Sequence, residues 1–374
     1  MIYTLSILLS LSILITIYPY LIYPVLLKVL PSKAISHDPS HVETMTLVFC
    51  AFNEGKVIPE KLNNIAMLKS YHPDLEVLAF DDGSSDNTYE QLSARSDLLT
   101  VIQGTGRNGK AYGMKALAKL ARGDILIFTD ANVLLDKLAI GNLQGWYADP
   151  DIGGVCGTLK YLDSKETATA SAGGLYWRLE EKLKSEESRT GNVMGADGSI
   201  FSLRRNVYPA FPDTVLDDLT ASMAAVFSGK RLIKAPDVIA YERLVTSREE
   251  EFSRKTRIAA RAYHTHLYLR PQLSKMSKLD KFKYVSRKFV RWFGGVFLVT
   301  SSFLALALSA AISPTLLSIS LLAMTGTILA CKYSHSGYLA IAVEITFSMM
   351  ATLIGVTRAI RGHTVATWSP AKTR

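Results

Sequence analysis

The chain has 374 residues, enough for one large catalytic domain with membrane segments, and its apolar residues, 48% of the total, gather near both ends. The three cysteines, Cys50, Cys156 and Cys331, form no Cys-x-x-Cys pair, which argues against a disulfide framework or a thiolate zinc site. Much of the net charge of +9 comes from basic residues just before the C-terminal apolar block. This basic cluster has no interleaved aromatic side chains on which bases could stack in a soluble domain, which argues against nucleic-acid binding.

Residues 1–30 are predicted to form an N-terminal transmembrane helix. No charged side chain occurs between Ile2 and Leu27, and Lys28 is the first cation. Such a stretch is long enough to cross a hydrocarbon core of about 30 Å. A cleavable signal peptide is the alternative, but the segment lacks a basic n-region and a convincing small-residue cleavage site.

The central region alternates between strand and helix patterns. Strands are predicted at 46–51, 75–80, 98–102 and 124–129, and helices at 56–68, 87–94 and 110–120, the first with Asn53 as its N-cap. This alternation predicts a parallel sheet covered by helices. Ligands of such sheets bind beyond the carboxyl ends of the strands.

Polar clusters follow the first two predicted strands. The sequence Ala-Phe-Asn-Glu occupies 51–54, and Asp-Asp-Gly-Ser-Ser-Asp occupies 81–86. Carboxylates accept hydrogen bonds from a base N–H or a ribose hydroxyl, so a nucleoside is the expected ligand. Asp-Gly and Ser-Asp also form turns and helix caps, and Asp86 fits an N-cap equally well.

A metal site is predicted after the fourth strand, at Thr-Asp-Ala-Asn 129–132. Asp130 and Asn132 are one residue apart, so both oxygens can face one hard cation that bridges to a diphosphate. Oxygen ligands favour Mg²⁺ or Mn²⁺ over zinc. Arg107 and Lys110, in and after the glycine-broken loop 104–109, supply cations for the same diphosphate.

Two later motifs bear on catalysis. A tight Gly-Ala-Asp-Gly loop occupies 195–198, and the adjacent carboxylates of Asp217 and Asp218 precede an apolar run. Neighbouring like charges raise the pKa of one carboxyl group, which suits a general base. The alternative is an ordinary helix start, where acidic residues are common.

Residues 270–291 are predicted to form a basic amphipathic segment at the membrane surface. Its cations alternate with Leu279, Phe282, Val285 and Phe289 at helical spacing, as in a helix lying on anionic lipid, although a solvated basic linker would also be basic. The segment, with Lys28 and Lys33, places the catalytic domain in the cytoplasm by the positive-inside rule.

Transmembrane helices are predicted within 292–357, at 292–312, 315–331 and 337–357. Three full crossings would place the cations of the 358–374 tail outside, against the positive-inside rule. An interfacial or re-entrant segment would return the tail to the cytoplasm, which is the topology we expect.

The order of these motifs, followed by Arg254-Lys255-Thr256-Arg257 and Arg261, resembles the inverting family 2 glycosyltransferases with the GT-A fold, particularly membrane-bound ones related to polysaccharide synthases. The resemblance covers roughly 44–263, with a further short similarity at Trp368-Ser369-Pro370 and Arg374. It implies a Rossmann-like α/β GT-A domain over 44–265 with transmembrane helices at both ends, in an integral membrane protein.

The resemblance also implies roles for individual residues. Asp218, next to Asp217, would be the base, Asp130 with Asn132 would bind the metal, and the 195–197 loop would face the acceptor. The residues implied in acceptor binding are Gly195, Ala196 and Asp197. Those implied in nucleotide-sugar binding are Ala51, Asn53, Glu54, Asp81, Asp82, Lys110, Asp130, Arg254, Arg257 and Arg261.

Two positions depart from the family pattern. Asn132 replaces a second Asp of many relatives, so one metal ligand is neutral. The Gln-x-x-Arg-Trp motif of processive members is represented at 254–258 only by its Arg, which argues against long-chain polymerisation.

We therefore expect an inverting hexosyl- or N-acetylhexosaminyltransferase that moves a sugar from a nucleotide-sugar, a UDP-sugar by preference, to a glycan or lipid-linked acceptor at the membrane. Transfer to a polyprenyl phosphate is the nearest alternative, because that anionic acceptor needs less help from a base. A non-catalytic nucleotide-sensing membrane scaffold is a further one. Pocket shape determines the sugar and the acceptor, so the motifs do not identify them, nor the oligomeric state.

Overall fold

The structure, a computed structural model, describes residues 1–162, 168–243, 247–333 and 337–363. The strands are β1 (Met45–Ala51), β2 (Glu76–Asp81), β3 (Thr100–Gln103), β4 (Ile125–Thr129), β5 (Leu134–Leu135), β6 (Ile152–Tyr161), β7 (Ile200–Arg204) and β8 (Arg231–Glu242). The helices of the central region are α3 (Ile58–Tyr71), α4 (Thr88–Ser93), α5 (Lys110–Leu120), α6 (Ala139–Trp146), α7 (Ala168–Arg189), α8 (Asp217–Phe227) and α9 (Arg248–Leu273). The helices at the two ends are α1 (Ile2–Ile17), α2 (Tyr23–Val29), α10 (Lys278–Tyr284), α11 (Val290–Trp292), α12 (Gly294–Ile312), α13 (Pro314–Tyr333) and α14 (Gly337–Ile360).

Within the described residues, the strands form one sheet in the order β3-β2-β1-β4-β7-β6-β8-β5. The four strands predicted from sequence are parallel neighbours, β3-β2-β1-β4. The parallel arrangement predicted for these four strands is confirmed. The rest of the sheet is mixed, because β7 runs antiparallel to both β4 and β6, and β5 antiparallel to β8. The carboxyl ends of β1, β2 and β4 therefore meet at one edge, where the predicted motifs lie.

Each face of the sheet has its own apolar core. In β1, Leu47 and Phe49 pack in one cluster with residues of α3 and α6, while Val48 and Cys50 pack in the other with residues of α5 and α8. Successive side chains of a strand point to opposite faces, so a strand buried on both sides is apolar throughout. This double burial explains why all seven residues of β1 are buried.

The prediction of Asn53 as the N-cap of the first helix is wrong. Helix α3 begins at Ile58 after Val57, and Asn53 has a φ of 53°. This left-handed conformation is uncommon for residues other than glycine but is tolerated by asparagine. Asn53 instead accepts a hydrogen bond from the Ser85 amide at 2.8 Å, which joins the loops after β1 and β2.

Three helical segments in the described part of the chain are long and apolar enough to cross a membrane: Ile2–Val29, Gly294–Ile312 and Ala342–Ile360. All three overlap predicted segments. The first two pack together, with Ser12 donating a hydrogen bond to the Phe297 carbonyl. Helix α13 contains an apolar stretch, Pro314–Gly326, that is shorter than the three candidate spans. Tail residues 364–374, with the short similarity at 368–370 and 374, lie outside the described residues.

Helix α14 packs along α9, which belongs to the central region. Arg248 of α9 forms an ion pair with Glu344 at 2.5 Å, and Lys255 donates a hydrogen bond to Ser348 at 2.5 Å. A Cβ atom on Gly355 would lie 2.3 Å from the Thr256 carbonyl oxygen, so the two helices approach backbone to backbone. Since α9 is highly charged, α14 lies against a polar helix along much of its length.

The 278–292 segment differs from the predicted lipid-surface helix in the direction of its cations. Phe282, Val285 and Phe289 are exposed, as expected for an interfacial helix. Lys283, Arg287 and Arg291, in contrast, point inward, and the two arginines pair with carboxylates of α7. The expectation that these cations lie on anionic lipid is therefore wrong for these three residues. Carboxylates of α7 bind the two arginines, and the backbone carbonyls of Glu187 and Asn192 accept hydrogen bonds from Lys283.

Candidate active site

A cavity of about 1880 Å³ opens at the carboxyl edge of the sheet and extends towards the membrane helices. It brings together most of the predicted site residues. Those lining it are Glu54, Lys110, Asp130, Asn132, Ala196, Asp197, Asp217, Asp218, Arg254, Arg257 and Arg261. Of the described residues that were predicted to contact ligands, those outside its lining are Ala51, Asn53, Asp81, Asp82 and Gly195.

Lys110 stands at the centre of the acidic part of the cavity. Its ammonium nitrogen lies 2.6 Å from Asp130 Oδ1 and 3.7 Å from Asp217 Oδ2. Although burial alone would lower the pKa of Lys110, the carboxylates of Asp130, Asp217 and Asp218 raise it above its ordinary value. Lys110 is therefore a fixed cation that holds several carboxylates close together.

Gly198 permits this convergence. A Cβ atom at Gly198 would lie 2.9 Å from Lys110 Nζ, 3.5 Å from Asp130 Oδ2 and 3.7 Å from Asp218 Oδ2. The metal motif, the predicted base and the cation thus meet around one residue that has no side chain. The sequence shows Gly198 within its motif but gives no sign of this close approach.

Asp218 lies in the first turn of α8, so it is both at a helix start and in the lining of the cavity. Its Oδ1 accepts a hydrogen bond from the Leu219 amide at 2.6 Å. Burial, and then repulsion from Asp217, raise the pKa of Asp218 to about 6. A carboxylate with this pKa is ionised at neutral pH yet basic enough to accept a proton.

The loops after β2 and β3 are held together by Asp82. Its buried carboxylate accepts hydrogen bonds from the amides of Asn108, at 2.8 Å, and Gly109, at 3.0 Å. Its position is structural in this arrangement, since it fixes the loop that leads into Lys110.

Asp81 is also buried, and its Oδ1 has no hydrogen-bond partner among the described residues. An unsatisfied buried acceptor of this kind suits a ligand N–H donor.

Lys61 stabilises the backbone of the predicted metal motif, a role that was not predicted. Its buried ammonium donates hydrogen bonds to the carbonyls of Asp130, at 3.1 Å, and Val133, at 2.6 Å. It therefore fixes the turn that follows β4. The sequence signal was a lysine on the face of a predicted helix that also carries Ile58 and Ile65, because a cation among apolar positions must find acceptors when buried.

The oxygen donors of Asp130 and Asn132 fit a hard divalent cation. Asn132 Nδ2 donates to Glu242 Oε1 at 3.0 Å, which leaves the amide oxygen as the free acceptor. The described residues contain no group of three or more His, Cys, Asp or Glu side chains arranged to hold a metal. Mg²⁺ and Mn²⁺ bound by few protein ligands complete their shells with water and substrate phosphates, so a two-ligand site is chemically adequate.

The three arginines of α9 that are implied in nucleotide-sugar binding differ in their surroundings. Arg254 pairs with Glu251 on the same helix at 2.8 Å. Arg261 is buried and donates to the Val215 carbonyl at 2.8 Å, which positions the segment leading into Asp217. Arg257 also lines the cavity. The structure thus gives Arg261 a positioning contact that the sequence did not indicate.

The predicted acceptor loop is held by a lysine of α7. The carboxylate of Asp197 pairs with the Lys184 ammonium and accepts a hydrogen bond from the Ser199 hydroxyl. Although burial would raise the pKa of Asp197, Lys184 and these hydrogen bonds lower it to about 2. Asp197 therefore remains a carboxylate at every physiological pH and is a poor proton carrier.

Residues 46–210 match the family model described as glycosyl transferase family 2. This part of the chain is therefore similar to a family 2 glycosyltransferase domain. The similarity agrees with the combination of motifs in the sequence.

Two curated bacterial proteins illustrate the relationship. The poly-beta-1,6-N-acetyl-D-glucosamine synthase of Staphylococcus aureus (strain COL) is 25% identical over 203 residues, 52% of this chain and 48% of that protein. The O-antigen chain rhamnosyltransferase RfbN of Salmonella typhimurium is 27% identical over 220 residues, 55% of this chain and 68% of that protein. The chain spans about half the length of the synthases it matches.

Among solved structures, the mannosyltransferase PcManGT of Pyrobaculum calidifontis, determined in complex with GDP-Man and Mn²⁺, superposes with a TM-score of 0.76. The alignment covers 95% of this chain and 99% of that one at 21% sequence identity. At this identity the likeness establishes the fold. The domain has the GT-A fold with apolar helices at both ends, which confirms the predicted fold class.

Proposed function

We propose that the chain is an inverting glycosyltransferase that moves a sugar from a nucleotide-sugar, a UDP-sugar by preference, to a glycan or lipid-linked acceptor at the membrane. The observation that carries the proposal is the convergence of Lys110, Asp130 and Asp218 around Gly198 in one large cavity. A family 2 domain with a base, a cation and a metal motif at one point has the groups that a single displacement requires.

Asp218 is the proposed general base. Its carboxylate removes the proton of the acceptor hydroxyl as that oxygen attacks the anomeric carbon, and the bond to the nucleoside diphosphate breaks on the opposite side. The product anomer is therefore inverted. Support comes from the raised pKa of Asp218, about 6, caused by burial and by Asp217. A base of this strength contributes roughly 10²–10⁴-fold to a reaction rate.

Donor binding is proposed at the β1, β2 and β4 edge. Asp81 offers its unpaired buried oxygen to a base N–H. Asp130 and Asn132 would hold Mg²⁺ or Mn²⁺. The bound metal would neutralise negative charge on the diphosphate. Lys110 and the arginines of α9 place fixed positive charge along the same cavity, where negative charge develops on the leaving group.

A cytoplasmic position of the catalytic domain and of the tail is also proposed. The end of α14, at Arg358 and Arg361, lines the same cavity as Asp218. Because α14 packs along the charged helix α9, we propose that it lies at the membrane surface rather than crossing the bilayer. This arrangement keeps the basic residues on one side, in agreement with the positive-inside rule.

The proposal is tested by incubating the purified full-length protein with a panel of UDP- and GDP-sugars and Mn²⁺, with glycan and lipid acceptors. Release of free nucleoside diphosphate from one donor, accompanied by a glycosylated product of inverted anomeric configuration, is the expected result. A retained anomeric configuration would exclude the single displacement, and the absence of release from every donor would support the nucleotide-sensing alternative.

A further inference from the structure

The catalytic cavity continues into the region where the membrane helices end. Thr16, Ile17, Tyr20 and Leu21, at the junction of α1 and the π-helical turn Tyr18–Ile22, line the same cavity as Asp218. Leu21 and Ile17 are 62% and 37% exposed, so this wall offers apolar surface to a ligand. The base and the end of a membrane helix thus share one continuous space.

Charged groups lie between these two parts of the cavity. Arg287 pairs with both Glu180, at 2.9 Å, and Glu187, at 2.6 Å, and Arg291 also pairs with Glu180. Glu180 and Glu187 of α7 are thereby paired with the two arginines. Lys288 is a third cation of the same wall, and it has no hydrogen-bond or ion-pair partner in the part of the chain that the structure describes.

Lys288 faces the predicted acceptor loop. Its ammonium nitrogen lies 3.9 Å from the position that a Cβ atom on Gly195 would take, and the φ of 89° at Gly195 favours glycine there. Burial, and then repulsion from Arg287, lower the pKa of Lys288 to about 8. Lys288 is half-buried, and the carboxylates that act on it, Glu180, Glu187 and Asp218, form no direct ion pair with it. An anionic ligand in the cavity would supply a direct counter-charge.

We propose that Lys288 binds the anionic phosphate of a lipid-linked acceptor whose apolar chain enters the cavity from the membrane beside Ile17 and Leu21. This inference rests on the proposed function and names the acceptor class of the same site. The position of Lys288, between the membrane wall and Asp218 and beside Gly195, favours the acceptor over the donor diphosphate. The donor candidates Lys110 and Asp130 instead converge at Gly198.

The test is direct binding, without turnover, of two probes that differ only in the phosphate: farnesyl phosphate and farnesol. Calorimetry on the purified full-length protein in detergent compares the wild type with Lys288→Met and with Lys281→Met, a matched loss of an exposed cation in the same segment. A charged hydrogen bond contributes about 1.5–3 kcal/mol, so Lys288→Met should weaken farnesyl phosphate about 10- to 100-fold. Farnesol affinity, and both affinities of Lys281→Met, should change less than about twofold, within calorimetric error.

Unchanged farnesyl phosphate affinity in Lys288→Met, or an equal loss of farnesol affinity, would overturn the inference. UDP is titrated in the same way, and a loss of affinity for UDP alone would assign Lys288 to the donor and also overturn it. Inorganic phosphate serves as a further probe, and binding as tight as that of farnesyl phosphate would exclude a lipid as the ligand. Because these measurements need no sugar transfer, they separate failure of this inference from failure of the proposed reaction.

Discussion

Replacing Lys110 by methionine should shift the pH dependence of catalysis. The ammonium of Lys110 lowers the pKa of Asp218, which burial and Asp217 raise to about 6. Lys110 Nζ and Asp218 Oδ2 lie 2.9 Å and 3.7 Å from the same Cβ position at Gly198, which sets an upper limit to their separation. Two unit charges about 6 Å apart, close to that limit, interact by roughly 3 kcal/mol at an effective dielectric of about 20, equivalent to about two pKa units. Because Asp218 is partly exposed, solvent screening reduces this to roughly one to two units.

Lys110→Met should therefore raise the pKa of Asp218 above its value in the wild type. The base is active only when ionised, and it is protonated below its pKa, so kcat/KM falls as the pH decreases through that value. The acidic limb of the pH profile for nucleoside diphosphate release should lie near pH 6 in the wild type and move upward by at least one unit in the variant.

The matched control is Lys115→Met on the same helix, whose ammonium pairs with Asp213 at 2.6 Å. Its acidic limb should stay near pH 6, where the pKa of Asp218 lies. An unmoved limb in Lys110→Met would refute the assignment of that limb to Asp218 or the electrostatic contact between the two residues. A lower rate at every pH, without a shift, would show that Lys110 acts on the donor alone.

Two further substitutions test the geometry and the support of the site. Gly198→Ala places a methyl group 2.9 Å from Lys110 Nζ, so nucleoside diphosphate release should fall by about tenfold while the melting temperature changes little; full activity would contradict the close approach. Glu180→Ala leaves Arg287 and Arg291 without a shared buried carboxylate and should lower the free energy of unfolding by roughly 3–5 kcal/mol, measured by denaturant titration in detergent. A loss below about 1 kcal/mol would indicate that water solvates the pair.

Local patterns predicted the strand–helix alternation of residues 45–129. The observed bounds of β1 and β4 lie within one residue of the predicted ones, and α5 begins and ends as predicted. These elements alternate apolar and polar positions at the periods of strands and helices, so local sequence contains the information. The position of the motifs at the carboxyl edge follows from parallel topology alone.

Contacts between distant residues could not be predicted in the same way. Asn132 bonds to Glu242, 110 residues away, and Arg287 to Glu187, 100 residues away. The basic segment 270–291 has the composition of a lipid-binding helix. Only the packing against α7 shows that three of its cations point inward. Composition describes which groups are present, whereas the fold determines which of them become counter-charges.

The most direct test of the account is Asp218→Asn, assayed for nucleoside diphosphate release with the donor that the panel identifies, alongside nucleotide affinity. Asparagine keeps the shape of the side chain and removes its basicity. Turnover should fall by roughly 10²–10⁴-fold, with nucleotide affinity unchanged within about threefold. Turnover close to that of the wild type would contradict the role of Asp218 as the base and, with it, the proposed single displacement.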